Sequence, residues 1–310
     1  MATEPMFAAL DVPTAHRRLL LDRAMLWDYW TLTKPEVNFL IVVTTFAGFY
    51  LGNAEQAARL PLLQAINTVL GTLLVASGTG TLNQYIERRY DARMRRTSRR
   101  PLAAGRLEPF TVLWFGMTLS FAGIVYLAFA VNKLASLLTL VTLLSYLFLY
   151  TPLKRKSPLC TLVGAFPGAM PPLIGWAGAT GRLPVEAWAL YAMLFLWQFP
   201  HFMAIAWMYR EDYDRAGYLV LPHESRARIS LVNLQTLLPL VALVLLSLFL
   251  ITRDHVTVFC SIPLLLLSIG FCDYGVKFVL HKTNQASRRL LAASIIYLPL
   301  LFVLIVAGKR

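Results

Sequence analysis

The chain has 310 residues, 57% of them hydrophobic and only 15% charged, with a mean hydropathy of +0.60 and a formal net charge of +13. Soluble domains carry roughly 25% charged residues, and the apolar residues here come in runs about 20 long, enough to cross a ~30 Å hydrocarbon core as helices. An ordinary soluble enzyme is excluded. So is a transmembrane β-barrel, whose short alternating segments do not occur.

Residues 1–30 contain Glu4, Asp11, Asp22 and Asp28 and no long apolar core. They read as a cytoplasmic segment and not as a cleaved signal peptide, and their acids argue against a mitochondrial presequence. Trp27, Tyr29 and Trp30 suit an interfacial anchor. Residues 31–310 read as a single transmembrane domain with nine spans: 37–52, 62–85, 109–131, 134–151, 159–179, 185–208, 230–251, 256–279 and 289–308. The fifth is crowded with Gly164, Pro167, Gly168, Pro171, Pro172, Gly175 and Gly178, residues that membrane helices tolerate when neighbours satisfy the freed carbonyls. The predicted class is therefore all-α and polytopic.

Placing the N-terminus inside puts 23 of the 29 Lys and Arg residues in inner segments and 6 in outer ones. That asymmetry is a positive-inside signal for a cytoplasmic N-terminus and an outer C-terminus. It also accounts for the basic charge, so no nucleic-acid partner is needed. Cys160, Cys260 and Cys272 lie in apolar surroundings without a CxxC spacing, which argues against a disulfide or zinc site.

The 16 acids are scarce enough for their positions to matter. One cluster ends the second span, with Asn83, Glu87 and Asp91 spaced i, i+4, i+8. On a continuous helix each step rises about 6 Å and drifts about 40°, so the three side chains form one stripe. Hard oxygen ligands of this kind suit Mg²⁺ shared with substrate phosphates, and the arginines that follow suit phosphate oxygens. The plainer alternative is that Glu87 and Asp91 only pair with Arg88 to Arg100 at a membrane surface. A second cluster, Arg210, Glu211, Asp212 and Asp214, ends the sixth span. It lies on the same predicted face as the first and as Lys154, Arg155 and Lys156. Two such clusters on one face favour a site, and their spacing hints at two four-helix halves plus one helix.

His201 lies ten residues before Glu211, about 15 Å deeper along a helix. An ionisable group at mid-membrane depth faces a cavity or a partner. Imidazole is a heme-iron ligand; the alternative is a histidine bonded to a neighbouring helix.

Several stretches together carry a family signature. They are Thr33-Lys34-Pro35, Asn83-Gln-Tyr-Ile-Glu87, Asp91-x-x-Met94-x-Arg96-Thr97-x-x-Arg100-Pro-Leu, Tyr150-Thr-Pro-Leu-Lys154-Arg155, Gly168-Ala-x-Pro171-Pro-Leu-Ile-Gly-Trp176, Trp197-Gln198-x-Pro-His201-Phe and Arg210-Glu211-Asp212-Tyr. The chain resembles the UbiA-type intramembrane prenyltransferases, and within them the heme O synthase (protoheme IX farnesyltransferase) branch. The second acidic motif departs from that family's usual pair of Asp four apart, and His223-Glu224-Ser225 follow Leu221-Pro222.

The resemblance implies a bundle of about nine transmembrane helices and transfer of farnesyl from farnesyl diphosphate to heme b, which is a substrate and not a cofactor. It implies Mg²⁺ on Asn83, Glu87 and Asp91, with Glu211 and Asp212 as the second set. Arg96, Arg100, Lys154, Arg155 and Arg210 would face the diphosphate, and Asn83, Glu87, Asp91, Asp212 and Lys154 would act in catalysis. Tyr150, with Tyr85 and Tyr146, would offer aromatic faces to an allylic cation, while Gln198 and His201 would face the heme. It further implies a bacterial inner membrane, or alternatively a mitochondrial one, with lipid and heme A synthase or terminal oxidase assembly as partners. Two rival readings are a related prenyltransferase acting on a quinone precursor or another tetrapyrrole, and a non-catalytic heme-handling protein.

Overall fold

The structure, a computed structural model, describes residues 14–53, 60–252 and 257–308. The expectations for residues 1–13 and the charges of Arg59, Arg253, Lys309 and Arg310 lie outside these. Among the described residues every regular element is helical. In chain order they are α1 (Thr14–Leu32), α2 (Pro35–Asn53), α3 (Leu62–Asp91), α4 (Pro109–Ala130), α5 (Lys133–Leu153), α6 (Cys160–Gly168), α7 (Met170–Thr180), α8 (Val185–Met208), α9 (Arg210–Ala216), α10 (Ser225–Thr252), α11 (Val258–His281) and α12 (Asn284–Gly308).

Eight of these, α2, α3, α4, α5, α8, α10, α11 and α12, are long and apolar enough to cross a membrane. The protein is an integral membrane protein. The remaining expected span, 159–179, is the pair α6 and α7, which breaks at Ala169. Pro171 and Pro172 carry no N–H, so the carbonyls of Pro167 and Gly168 lose their partners four residues on and the ladder stops. With that broken element counted as one, the described residues are roughly consistent with the nine predicted spans. Several helices outrun their apolar cores: α3 continues to Asp91, α10 begins at Ser225, and α12 begins at Asn284 behind a Thr283 hydroxyl that accepts the Ala286 N–H at 3.1 Å. Hydropathy marks the apolar stretch, whereas the polar end turns are set by capping. Trp27 and Trp30 of α1 are exposed, 68% and 54%, as an interfacial anchor should be.

Close helix pairs rest on small residues. A Cβ on Gly175 would stand 1.9 Å from the Thr45 carbonyl oxygen, and one on Gly48 would stand 2.2 Å from that of Pro172, so α2 and α7 touch backbone to backbone. The α3–α4 pair is built likewise, with Gly78 against Gly116 and Ser120. Several polar groups inside the spans find partners in neighbouring helices: Asn38 donates to Ser77 at 2.9 Å, and Ser247, Ser268 and Tyr297 form a chain at 2.9 and 3.2 Å.

The two predicted acidic segments meet at one end of this bundle. The Arg96 N–H, just past α3, donates to Asp212 Oδ2 at 3.2 Å. The Leu219 N–H, past α9, donates to the Lys154 carbonyl at 2.7 Å. The segments after α3, α5 and α9 therefore form one basic cap, in keeping with a single charged face.

Candidate active site

Asn83, Glu87 and Asp91 project as one stripe from the last turns of α3 and are 1%, 5% and 1% exposed. Each is met by a cation from a different element. Lys34 Nζ donates to Asn83 Oδ1 at 2.9 Å, Lys154 Nζ lies 2.8 Å from Glu87 Oε1, and Arg100 Nη1 lies 2.8 Å from Asp91 Oδ2. The Asn83 amide also donates to Thr151 Oγ1 at 3.2 Å, and the Thr97 hydroxyl closes on the Asp91 carbonyl at 2.9 Å. Arg100 pairs with Asp91 as the plain alternative required, yet Asp91 Oδ1 remains buried without a hydrogen-bond partner.

The electrostatics follow from burial. Burial works against the Lys154 charge, but the Glu87 carboxylate more than offsets it and holds the ammonium well above the usual lysine range. Lys34 has no such full partner. Burial, aided by the charges of Arg100 and Lys154, lowers it to about 7 although Glu87 and Asp91 pull the other way. An arriving anion would supply the missing countercharge. Lys34 reaches the stripe because it sits at φ 55, in the left-handed region, between α1 and α2. Such a non-glycine residue is strained, and strain of this kind collects at functional positions.

The wall beside the stripe is aromatic. α5 runs as an α-helix to Leu144, widens to a π-helix over Ser145–Tyr150, and ends at Thr151–Leu153. Pro152 has no N–H for the Phe148 carbonyl, and the Thr151 hydroxyl returns to the Tyr146 carbonyl at 2.8 Å. The widened turn sets the Tyr146 and Tyr150 rings 5.0 Å apart, with Lys154 Nζ 4.5 Å above the Tyr150 ring. Gly164 makes room for that ring, since a Cβ there would stand 2.6 Å from it. Tyr85 packs elsewhere, on the α3 face with Leu32, Leu102 and Val112, under the Arg88 guanidinium at 4.4 Å.

The second acidic segment is arranged differently. Asp212, 7% exposed, accepts from the Arg96 backbone N–H and from Arg215 at 3.1 Å, while Glu211 is exposed and forms no ion pair among the described residues. The Arg96 guanidinium lies 4.7 Å over the Tyr209 ring and 3.4 Å from the Tyr213 hydroxyl, so it attaches to this second segment. Arg155 bonds the Tyr90 hydroxyl at 2.8 Å on the rim. Arg210 turns to the Trp207 carbonyl and to Asn284, at 2.7 and 3.1 Å.

Gln198 is buried and gives its amide N–H groups to the Ala165 and Leu194 carbonyls, both at 3.1 Å, so it clamps α8 to α6. His201 is half-buried, stacked 4.8 Å from the Trp197 ring, with Nδ1 2.8 Å from Ser294 Oγ. The single Ser294 proton goes to the Leu291 carbonyl at 2.6 Å. With Ser294 Oγ as acceptor, the matching tautomer carries its proton on Nδ1 and has the Nε2 lone pair open.

Could the stripe hold a divalent cation? Among the described residues no group of three or more His, Cys, Asp or Glu side chains gathers into a metal site. The stripe offers two carboxylates and one amide oxygen, and Asp91 Oδ1 is unsatisfied. That donor set fits Mg²⁺, which keeps several water or phosphate oxygens and takes one or two carboxylates from the protein.

Helices around buried acids and cations, with an aromatic wall and a basic cap, define a membrane-embedded site suited to an anionic ligand. Residues 41–305 match the model of the UbiA prenyltransferase family, and the chain belongs to that family. Similar proteins include "Protoheme IX farnesyltransferase" of Solibacter usitatus, 44% identical over 91% of this chain and 98% of that protein. Those of Koribacter versatilis and Salinibacter ruber are 40% and 38% identical, over 92% and 91% of this chain and 94% and 98% of those proteins. Among solved structures, one described as "Digeranylgeranylglyceryl phosphate synthase in membranes" shares the fold with TM-score 0.73 at 15% identity, over 91% of this chain and 98% of that one. A UbiA homolog from Archaeoglobus fulgidus "bound to GPP and Mg2+" does so with TM-score 0.57 at 15% identity, over 90% and 99%.

Sequence reasoning missed two buried residues beside this stripe, Lys34 and Tyr218, whose ring lies 5.5 Å from that of Tyr90 at the end of α3. Lys34 stood in view in Thr33-Lys34-Pro35, where a lysine before a proline at the mouth of an apolar helix was the available signal. Tyr218 gave no signal, because only the folded cap brings it to α3.

Proposed function

We propose that this chain transfers the farnesyl group of farnesyl diphosphate to a vinyl group of protoheme IX, with addition of water, giving heme O and diphosphate. The observation that carries the reading is the buried stripe Asn83, Glu87 and Asp91, ringed by Lys34, Lys154 and Arg100 and left with one unsatisfied carboxylate oxygen. The names of the similar proteins supply the substrate class.

In this mechanism residues 31–310 act as one transmembrane unit. Asn83, Glu87 and Asp91 would hold Mg²⁺, which when bound neutralises charge on the leaving diphosphate. Lys34, Lys154 and Arg100 bind the diphosphate oxygens, releasing their present partners as they do so. As the allylic C–O bond breaks, the electron pair leaves with the diphosphate, and the farnesyl cation is stabilised by the faces of Tyr150 and Tyr146. The vinyl double bond attacks that cation and forms the new C–C bond. Water then adds to the carbon next to the porphyrin ring and loses a proton. The apolar helices around the tail keep water away until the C–C bond exists. His201 holds the porphyrin through Nε2 on iron, at mid-depth, with the vinyl edge toward the cap. Asp212 fixes the cap through Arg96, and Glu211 is the second-segment acid free to meet substrate or metal.

The same reading places the basic cap in the cytoplasm of a bacterial cell, with the C-terminus outside. Product is handed on to a heme A synthase or a terminal oxidase assembly. The test is acceptor choice: purified protein, Mg²⁺ and isotope-labelled farnesyl diphosphate are offered protoheme IX and a hydroxybenzoate together. Label should enter the porphyrin. Label in the hydroxybenzoate instead would assign the chain to quinone-precursor chemistry.

A further inference from the structure

Tyr218 stands out as a buried polar group whose hydroxyl has no close hydrogen-bond partner among the described residues. It follows α9, whose C-terminus turns at Gly217 with φ 77, a left-handed cap that glycine adopts freely. The Tyr218 N–H returns to the Tyr213 carbonyl at 2.9 Å, and the next N–H, that of Leu219, reaches the Lys154 carbonyl at 2.7 Å. Tyr218 is thereby pinned between the second acidic segment and the lysine that pairs with Glu87. Its ring packs against Tyr90 at 5.5 Å and Tyr213 at 6.1 Å, in a cluster with Met94 and Ala216. The residue is 2% exposed, and its hydroxyl makes no close hydrogen bond among the described residues.

The charges around this hydroxyl belong to the first acidic cluster. Burial first, then the Glu87 carboxylate, push the phenol far above its ordinary range, with Lys154 acting the other way and Asp91 adding to the rise. A tyrosine phenol is a neutral O–H at ordinary pH, able to donate. Backbone hydrogen bonds on both sides hold it in place, so it cannot turn to solvent for a partner. Leaving a buried hydroxyl unmatched is costly; the Glu87 carboxylate engages it only at long range, and an oxygen-rich ligand between the carboxylates and Lys154 would give it a close partner.

We propose that Tyr218 is a binding residue of this site, donating its hydroxyl hydrogen bond to a diphosphate oxygen held beside Glu87, Asp91 and Lys154. The segment that carries Asp212 is thereby tied to the anion bound on α3, and the cap is drawn down onto the loaded stripe. The inference rests on the reading that the first acidic cluster receives diphosphate.

The test is the affinity of Mg²⁺ with inorganic diphosphate for the full-length protein in detergent, measured by calorimetry below the unfolding midpoints of all forms. Tyr218→Phe removes only the oxygen and keeps the ring packing. Its affinity should fall about tenfold or more, the usual scale for a hydrogen bond to a charged group, with the unfolding midpoint and the heme absorption spectrum unchanged. Asp91→Asn serves as the control for the underlying reading. If the wild-type protein binds no diphosphate, or Asp91→Asn binds it as well as wild type, the diphosphate site itself is overturned and this inference with it. If wild type binds, Asp91→Asn does not, and Tyr218→Phe matches wild type, only the role of Tyr218 is overturned. A lower unfolding midpoint with unchanged affinity also overturns it, assigning the hydroxyl to Glu87 alone.

Discussion

Lys154 Nζ lies 2.8 Å from Glu87 Oε1, joining α3 to the end of α5 across 67 residues of sequence with both side chains largely buried. Breaking a buried pair from one side leaves an uncompensated charge and costs about 3–5 kcal/mol. Lys154→Met should therefore destabilise the protein by that amount in detergent unfolding. Glu87→Gln combined with Lys154→Met should recover most of the loss, because no lone charge remains. Both forms should lose most activity, since the proposed anion site has lost one of its three cations. A double variant no more stable than Lys154→Met would show that the pair is not what holds these elements together.

His201 Nδ1 lies 2.8 Å from Ser294 Oγ, a contact that suits the tautomer with Nε2 free. His201→Ala should weaken protoheme IX binding and shift its absorption spectrum, leaving farnesyl diphosphate affinity intact. Ser294→Ala should have a smaller effect in the same direction, about 10- to 100-fold in affinity, as partners of a ligating histidine commonly do. An unchanged spectrum in His201→Ala would make the histidine a packing group between α8 and α12.

The α2–α7 contact admits no side chain at Gly175, whose Cβ would meet the Thr45 carbonyl oxygen at 1.9 Å. Gly175→Ala should cost about 1–3 kcal/mol, the range for overpacking. Gly270→Ala on α11 meets nothing within 4 Å and should be neutral or slightly stabilising by helix propensity. Equal unfolding midpoints for the two variants would contradict the close approach of these helices.

Membrane orientation can be read directly. Ala104, Lys156 and Glu224 are exposed on the three segments of the basic cap. Single cysteines there, in a protein whose Cys160, Cys260 and Cys272 are replaced by serine or alanine, should react with an impermeant thiol reagent only from the cytoplasmic side. Labelling of position 104 from outside would invert the topology and move the site to the other face.

How much of this was legible in the sequence depends on the range of the interaction. Helices were legible because lipid leaves an apolar run no other form, and the Asn83, Glu87, Asp91 stripe followed from helical spacing alone. The break at Ala169 was foreshadowed by Pro171 and Pro172. The π-helix of Ser145–Tyr150 was not, because Pro152 signals a disturbed ladder without saying which way it relaxes. Side-chain destinations were legible only where helix geometry fixes them. Arg96 and Arg100 stand four apart, yet one serves Asp212 and Tyr209 and the other Asp91, a division made by the turn after α3 and by contacts more than 100 residues away. Lys34 and Tyr218 reach the stripe by tertiary placement, which spacing does not encode.

The central claim is that the stripe on α3 ionises farnesyl diphosphate for transfer to protoheme IX. Purified protein, Mg²⁺, farnesyl diphosphate and protoheme IX should give a porphyrin whose mass has grown by one farnesyl and one hydroxyl group, with one diphosphate released per product. Asp91→Asn, which removes charge with little change in volume, should fold normally and lose most of that turnover, as should wild type with excess chelator. An unmodified porphyrin from the wild-type protein, or near-normal turnover in Asp91→Asn, would contradict the account.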